Sequence, residues 1–413
     1  MSYEVRREQI YSRLKEEGTF TWDWMYGEEY ALADLHRISP AFRQEIAEAT
    51  ERLGAIFTKM VQVIQQGADE LLAELGIPEA AWRAVRLEMP VPHATVVGRF
   101  DFAPTAQGLK MLELNADTPT GIVEAFYANG KVCEHYGAQD PNEGMVEQLT
   151  RAFQGVTSAY AEQGLPCEQI WFSALDWHEE DAGTTRYLLA ASGLPGRFVA
   201  LADLRVNEDR LYALDGEEMV PVDVLYRLHA LEKLVEDRDV DGYPTGEHLL
   251  SLIADRQVAI INPPSGFLAQ TKALQALIWS LHETGQFFTA EEHELIERYI
   301  IPTYLENRFL GQKPHVAKPI FGREGGAVTL YAADGTPIEQ DGEEFYWEQP
   351  MIYQELVELE QVEVETLQGA YRGHLLYGSF WIGGEASAVW ARAGGRITGN
   401  LSYFLPVAIE AKC

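Results

Sequence analysis

Two short alternating runs hold the residues whose types and spacing suit chemistry. In GRFDF, Arg99 and Asp101 stand two apart, and in LELN, Glu113 and Asn115 do the same. Side chains two apart on a strand leave one face of the sheet, so pairing these runs brings all four groups together. Two carboxylates and an amide oxygen form a hard, all-oxygen donor set suited to Mg²⁺, which keeps waters and phosphate oxygens as its other ligands. Arg99 adds a forked cation where negative charge builds as phosphate leaves or a tetrahedral intermediate forms. The same spacing also describes an ordinary cross-strand salt-bridge patch on a solvated face.

The next stretch, NADTPTGIVEA, sets Asp117, Thr118, Thr120 and Gly121 directly before a helix. Hydroxyls and free backbone N–H groups there face whatever the cluster binds, or simply cap the helix. Further on, HVAKPIFGREGGAV ends an apolar strand with Lys318 and follows it with Gly322, Gly325 and Gly326. Glycines let backbone approach phosphates closely, and a strand-borne lysine reaches their oxygens as a point charge. The string is neither a Walker A motif nor a dinucleotide fingerprint, and by itself such a string is more often a hairpin turn than a phosphate loop. In ALDWHEEDAGTTRYL, the acids Glu179, Glu180 and Asp181 suit a helix dipole as well as a cationic ligand. Lys272 opens the apolar helix of AQTKALQALIW, as a surface lysine would, and MIYQELVEL reads as a strand with alternating polar residues.

Taken together, GRFDF…LELNADTPTGIVEA resembles the glutathionylspermidine synthase family, whose synthetase domain carries an R-x-D…E-x-N-A-D signature. The resemblance runs from about residue 20 to the C-terminus. It implies that Asp101, Glu113 and Asn115 are magnesium ligands, that Arg99 stabilises transition-state charge, and that Thr118 and Thr120 lie near a thiol-peptide substrate. It implies that Lys272 and Lys318 hold ATP phosphates and that the glycine loop is a mobile lid in which Arg323 closes on the substrates. Gln354 and Glu355, with the backbone of Leu356 and Val357, then meet adenine and ribose at a hinge. Glu179 and Glu180 contact the amine and the peptide ammonium, while Arg392 and Asn400 in VWARAGGRITGN are late site residues. The metal-binding residues precede the lysines and lid, the permuted order of this family. The implied activity is ATP- and Mg²⁺-dependent joining of a carboxylate to an amine, with a small-molecule kinase or a non-catalytic nucleotide-binding protein as alternatives.

Positioning these groups requires an α/β fold. From Ala41 to about Leu75, Phe42, Ile46, Leu53, Ile56, Phe57, Met60, Val63 and Ile64 recur at helical spacing until Gly76 and Pro78 end the pattern. TVVGRFDFA and LKMLELN, joined by PTAQG, read as a β-hairpin. Helices are expected at Glu124–Tyr136 and Glu143–Glu162. Apolar strands at QIWFSAL, FVALADL, VDVLYRL and VAIINPP alternate with helical stretches around Thr185, His248 and Ala276, favouring a three-layer or doubly wound sheet. The last third is mainly strand: HVAKPI, AVTLYAA, MIYQELV, HLLYGSFWIGG, AVWARA and ITGNLSYFLPVAI. With the resemblance, this gives an ATP-grasp-like α/β (α+β) architecture. Residues 1–93 form a helical N-terminal region. Residues 94–270 hold the metal-binding hairpin and a mixed α/β, pre-ATP-grasp-type substrate domain, and residues 271–413 the nucleotide-binding region with its lid.

Composition narrows the partners. Sixty-four acidic residues against 32 basic ones give a net charge of −32, a field that repels nucleic acid and anionic membranes and attracts cationic small molecules. Cys133, Cys167 and Cys413 are odd in number and show no C-x-x-C spacing, which fits a reducing cytoplasm. The charged N-terminus lacks a signal-peptide h-region. Bifunctional members of the resembled family carry an amidase domain with a catalytic cysteine. No cysteine precedes Cys133, so hydrolytic activity is not expected.

Overall fold

The structure, a computed structural model, describes residues 1–323, 325–342, 346–399 and 401–411. Its helical N-terminal part begins with Tyr3–Glu17, which Ser2 caps and Gly18 ends in the left-handed region. The long helix Pro40–Gln65 follows, with Ser39 accepting from Phe42 N and proline in the first turn, where a missing N–H is not needed. The apolar pattern continues to Leu75, but this helix stops at Gln65, and the short helix Asp69–Glu74 follows Gly67. Val63, counted in the apolar spacing, is exposed. Ile46, Leu53, Phe57, Met60 and Ile64 are fully buried against a sheet, with the Phe57 ring edge-on to Phe100 at 5.7 Å.

That sheet carries the hairpin. Val97–Thr105 pairs antiparallel with Gly108–Asn115, Arg99 opposite Asn115 and Asp101 opposite Glu113, with a register shift after Asp101. The connection is tighter than the PTAQG loop expected, because the strands run through Thr105 and resume at Gly108. On its other side Val97–Thr105 pairs with Gly369–Ile382, placing Asp101 opposite Gly378 and Arg99 opposite Phe380. Gly369–Ile382 pairs in turn with Glu385–Gly394, and that strand with Tyr403–Leu405. Gln361–Thr366 completes the six strands. The hairpin therefore shares one sheet with strands more than 250 residues later in the chain.

Two further sheets frame it. Thr303–Tyr304, Met351–Glu355, His315–Pro319, Thr329–Tyr331 and Pro337–Gln340 form a five-stranded antiparallel sheet in that order. Ala259–Ile261, Val224–Arg227, Ile170–Ala174 and Arg197–Ala200 form a four-stranded parallel sheet, whose first three strands are buried throughout, as such sheets require, while Arg197–Ala200 at one edge is only partly buried. FVALADL does not form one strand. It splits into Arg197–Ala200 and, after a short 3₁₀ turn, Leu204–Asn207, which opens a separate three-stranded meander with Arg210–Asp215 and Glu218–Pro221. Mixed helices and sheets of this kind make the fold α/β. No helix among the described residues is long and apolar enough to cross a membrane.

One buried amide ties the parallel sheet to the hairpin. Asn262, just beyond Ala259–Ile261, accepts from Val96 N and Val97 N at 3.1 and 2.8 Å. Its amide nitrogen donates to the Val97 and Asp117 carbonyls, both at 2.8 Å. Gln270 does similar work next door, accepting from Ala116 N and Asp117 N. Both ends of the hairpin are thus fixed by side chains that are 1% and 5% exposed. Asn262→Ala leaves several buried backbone groups unpaired, at roughly 1–3 kcal/mol each. Urea unfolding should show a loss of at least about 2 kcal/mol, and a loss below about 0.5 kcal/mol would show that the clamp is not needed.

Candidate active site

The six-stranded and five-stranded sheets face each other across a cleft of about 1550 Å³, open mouth included. Of the residues the sequence singled out, Arg99, Asp101, Glu113, Asn115, Thr118, Thr120, Glu180, Lys272 and Lys318 line it, as do Gly322, Arg323, Gly325, Gly326 and Arg392. Gln354, Glu355, Leu356 and Val357 line it too, beside the apolar side chains of Val316, Val328 and Leu330. Asp117 and Glu179 do not line it. Asn400 lies outside the described residues.

At the polar end the hairpin register does what period two demands. Arg99 grips Asp101 with two parallel hydrogen bonds, Nε to Oδ1 at 2.6 Å and a terminal nitrogen to Oδ2 at 2.9 Å. Arg392 adds a third at 3.0 Å, and Arg99 also donates to the Thr120 carbonyl at 2.6 Å. The Asn115 amide nitrogen sits 3.3 Å from Asp101 Oδ2 and 3.4 Å from Glu113 Oε1. The three donor groups therefore meet at one point, and turning the Asn115 amide over would present its oxygen there.

The lysines reach the same point from the facing elements. Lys272, which the resemblance assigns to ATP phosphates and which its local sequence alone would also allow as a surface lysine, is 5% exposed. Its Nζ lies 3.0 Å from Glu113 Oε2 and donates to the Gly322 carbonyl at 2.7 Å. Lys318 donates to Gln354 Oε1 at 2.8 Å. Burial alone would raise the Glu113 carboxyl, but the Lys272 and Lys318 charges outweigh it and hold the group at about 2. Burial pushes the Lys318 ammonium the other way, to about 8, although Glu113 pulls it upward. Gln354, expected beside adenine, is 1% exposed and spends its side chain on Lys318 and on Thr303 Oγ1, to which it donates at 3.0 Å. Glu355 is paired with Lys313, and the Leu356 N–H donates to the Pro314 carbonyl.

Arg323 bridges the glycine loop to two other segments, donating to Glu232 Oε1 at 2.8 Å and to Thr118 Oγ1 at 2.9 Å. Asp117 turns away from the cleft because Arg227 takes both its oxygens, at 2.5 and 3.1 Å, and the Leu231 N–H donates to it as well. Its charge anchors the segment from beneath. Glu179 is exposed and accepts from Thr21 Oγ1, whereas Glu180, one residue on along the helix Glu179–Ser192, reaches the cleft.

Sequence reasoning passed over Tyr30, Glu232 and Trp390. Trp390 stacks beneath both cations, with the Arg99 and Arg392 guanidinium carbons 5.5 and 5.3 Å from its ring. Its place two residues before Arg392 on one strand is a signal that period-two reading can find. Tyr30 and Glu232 are brought in by tertiary contact and carry no local motif.

Lys318, being acidified by burial, should be acylated by a lysine reagent with a midpoint near pH 8 instead of near 10.5. Glu113→Gln removes a charge that raises it, so at pH 7.5 its modification rate should climb by roughly threefold or more. Mass mapping of labelled peptides reads both quantities, and an unshifted wild-type midpoint contradicts the electrostatic assignment.

Comparison with known proteins identifies the family and the fold. A family model described as glutathionylspermidine synthase preATP-grasp matches residues 1–410. A Haemophilus influenzae protein provisionally described as an acid–amine ligase is 26% identical over 408 residues, covering 96% of this chain and 93% of its own. The bifunctional glutathionylspermidine synthetase/amidase of Escherichia coli is 24% identical over 411 residues; the match takes in 89% of this chain and 62% of the E. coli protein. The apo structure of a glutathione synthetase-like effector from Globodera pallida shares the fold, with a TM-score of 0.60 at 13% identity over 99% of this chain and 98% of that one. The chain belongs to the glutathionylspermidine synthase preATP-grasp family.

Proposed function

We propose that this protein joins a carboxylate to an amine through an acyl phosphate made with ATP and Mg²⁺. A peptide carboxylate such as that of glutathione and a polyamine such as spermidine are the leading pair. Its family and its ligase relatives support an ATP-dependent C–N ligase. The observation that carries the finer reading is the convergence of Asp101, Glu113 and Asn115 on one point with Lys272 3.0 Å from Glu113. Two carboxylates and an amide match the ligand preference of Mg²⁺, and Glu113 is held ionised.

A carboxylate is a poor electrophile until one of its oxygens becomes a leaving group. Lys272 and Lys318 would hold the phosphates of ATP while the apolar wall of Val316, Val328 and Leu330 receives the base. The chemistry that a bound Mg²⁺ supplies is charge neutralisation across the transferring phosphoryl group. Arg99, fixed by Asp101 and the Thr120 carbonyl, needs no reorganisation to stabilise charge developing beside it. The Gly322–Gly326 side of the cleft, held by Arg323, would shield an acyl phosphate from water. Glu180 would favour a cationic amine at the opposite end. We place the chain in the cytoplasm and retain regions 1–93, 94–270 and 271–413 as its working division, with the hairpin shared between the last two.

ADP release with Mg²⁺ across a panel of carboxylates, with and without polyamines or amino acids, tests this reading. Turnover should require both partners, and amine-independent release would instead mark a kinase. Asp101→Ala and Glu113→Ala should each lower turnover about 100-fold or more, with circular dichroism unchanged. Near-normal rates in either variant remove that residue from the metal site.

A further inference from the structure

An aliphatic amine arrives at neutral pH as an ammonium ion and cannot attack a carbonyl until a proton leaves it. At the cleft end lined by Met25, Tyr30 and Glu180, two residues are built as a pair that nothing above assigns. Tyr30 Oη donates to Glu124 Oε1 at 3.1 Å, and Trp22 Nε1 donates to the same oxygen at 2.8 Å. Glu124 is 0% exposed, yet its Oε2 meets no donor from another residue among the described residues. A carboxyl retained only for packing is normally satisfied at both oxygens. Glu124 also opens the π-helical segment Glu124–Ala128, a distortion of helical hydrogen bonding that concentrates at functional sites. Tyr30, 7% exposed, is the group between this carboxyl and the cleft.

Resting on the ligase reading above, we propose that Tyr30 takes the ammonium proton of the amine substrate and that Glu124 receives a proton through it. The N–H bond breaks toward Tyr30 Oη while the Tyr30 O–H proton passes to Glu124 Oε1, leaving a neutral amine, an intact phenol and a neutral carboxylic acid. The amine lone pair then forms the C–N bond, the acyl C–O bond breaks, and phosphate leaves with that electron pair. The second N–H proton departs with phosphate, and Glu124 returns its own to solvent before the next turnover.

The surroundings suit this task. Burial pushes the Glu124 carboxyl up, and the Trp22 and Tyr30 hydrogen bonds and the Arg99 charge only partly reverse it, so its affinity for a proton exceeds that of an exposed carboxylate. The charged groups facing Tyr30 are Glu124, Glu180, Arg392 and Arg99, and Arg99 faces Glu124 as well. Glu180 draws the ammonium in, and Arg392 belongs to the cluster around Asp101 where the acyl group would form.

The test sets two nucleophiles against each other, using Mg²⁺, ATP and glutathione with either spermidine or hydroxylamine. Hydroxylamine is largely unprotonated at neutral pH and needs no proton acceptor before attack. Tyr30→Phe and Glu124→Gln should each lower the ratio of amide to hydroxamate formed at pH 7 by about 100-fold. The deficit should shrink as pH rises toward the amine's own pKa. Gln keeps an acceptor for Trp22 and Tyr30, so a folding defect in one variant is separated from lost proton transfer by thermal unfolding and by the other variant. An unchanged ratio, or equal loss of both products at every pH, overturns the proposal alone. Failure of the wild-type protein to form either product overturns glutathione as the acid in the ligase reading, and this proposal as stated for it.

Discussion

Asp101 is 2% exposed, and a carboxylate that deep costs several kcal/mol to desolvate unless cations meet it. Arg99 supplies two bonds to it and Arg392 a third, and Arg99 in turn secures the Thr120 carbonyl. That single cluster joins the first hairpin strand, the segment leading to the helical turn at Glu124–Ala128 and a strand from the far end of the chain. Glu113 and Asn115 stand opposite Asp101 and Arg99 by register, so their position follows once the cluster forms.

Trp390 explains how two guanidinium groups share one carboxylate without scattering. Both lie over its ring, and space for that ring is cut by glycines on either side. A Cβ on Gly378 would lie 1.9 Å from Trp390 Nε1, and one on Gly121 would lie 2.5 Å from the ring, at a backbone φ of +78°. Gly121 thus serves packing as well as the turn before its helix, and the period of the strand places Gly378 opposite Asp101. The site is assembled by a platform of aromatic surface with charge laid on it, and the platform has room only where side chains are missing.

Opposing charge continues across the cleft. Lys272 meets Glu113 and the Gly322 carbonyl, so one buried ammonium links the hairpin to the start of the glycine loop. Its helix starts where Lys272 N donates to the Ile320 carbonyl, which ties the Lys272–Thr284 helix to the end of the lysine-bearing strand. Asp117 plays the complementary part below, where Arg227 and the Leu231 N–H hold it and so fix Thr118 against Arg323. Buried ion pairs of this kind contribute little net stability but tolerate few alternative arrangements.

Local chemistry determined a good deal. Alternation at residues 97–115 announced the hairpin and the common face of Arg99, Asp101, Glu113 and Asn115. Continuous apolar runs announced the parallel strands, and the glycines after Lys318 announced a turn or loop. These are short-range properties, set by side-chain period and by which residues backbone geometry admits. The sequence did not disclose that Lys272 is buried, that Asp117 faces Arg227 instead of the cleft, or that Tyr30 and Trp390 belong to the site. Nor did it place the hairpin beside Gly369–Ile382. Each depends on which distant strand takes the open edge and which cation reaches a buried acid first, a choice made by desolvation and packing across hundreds of residues, for which the chain carries no local mark.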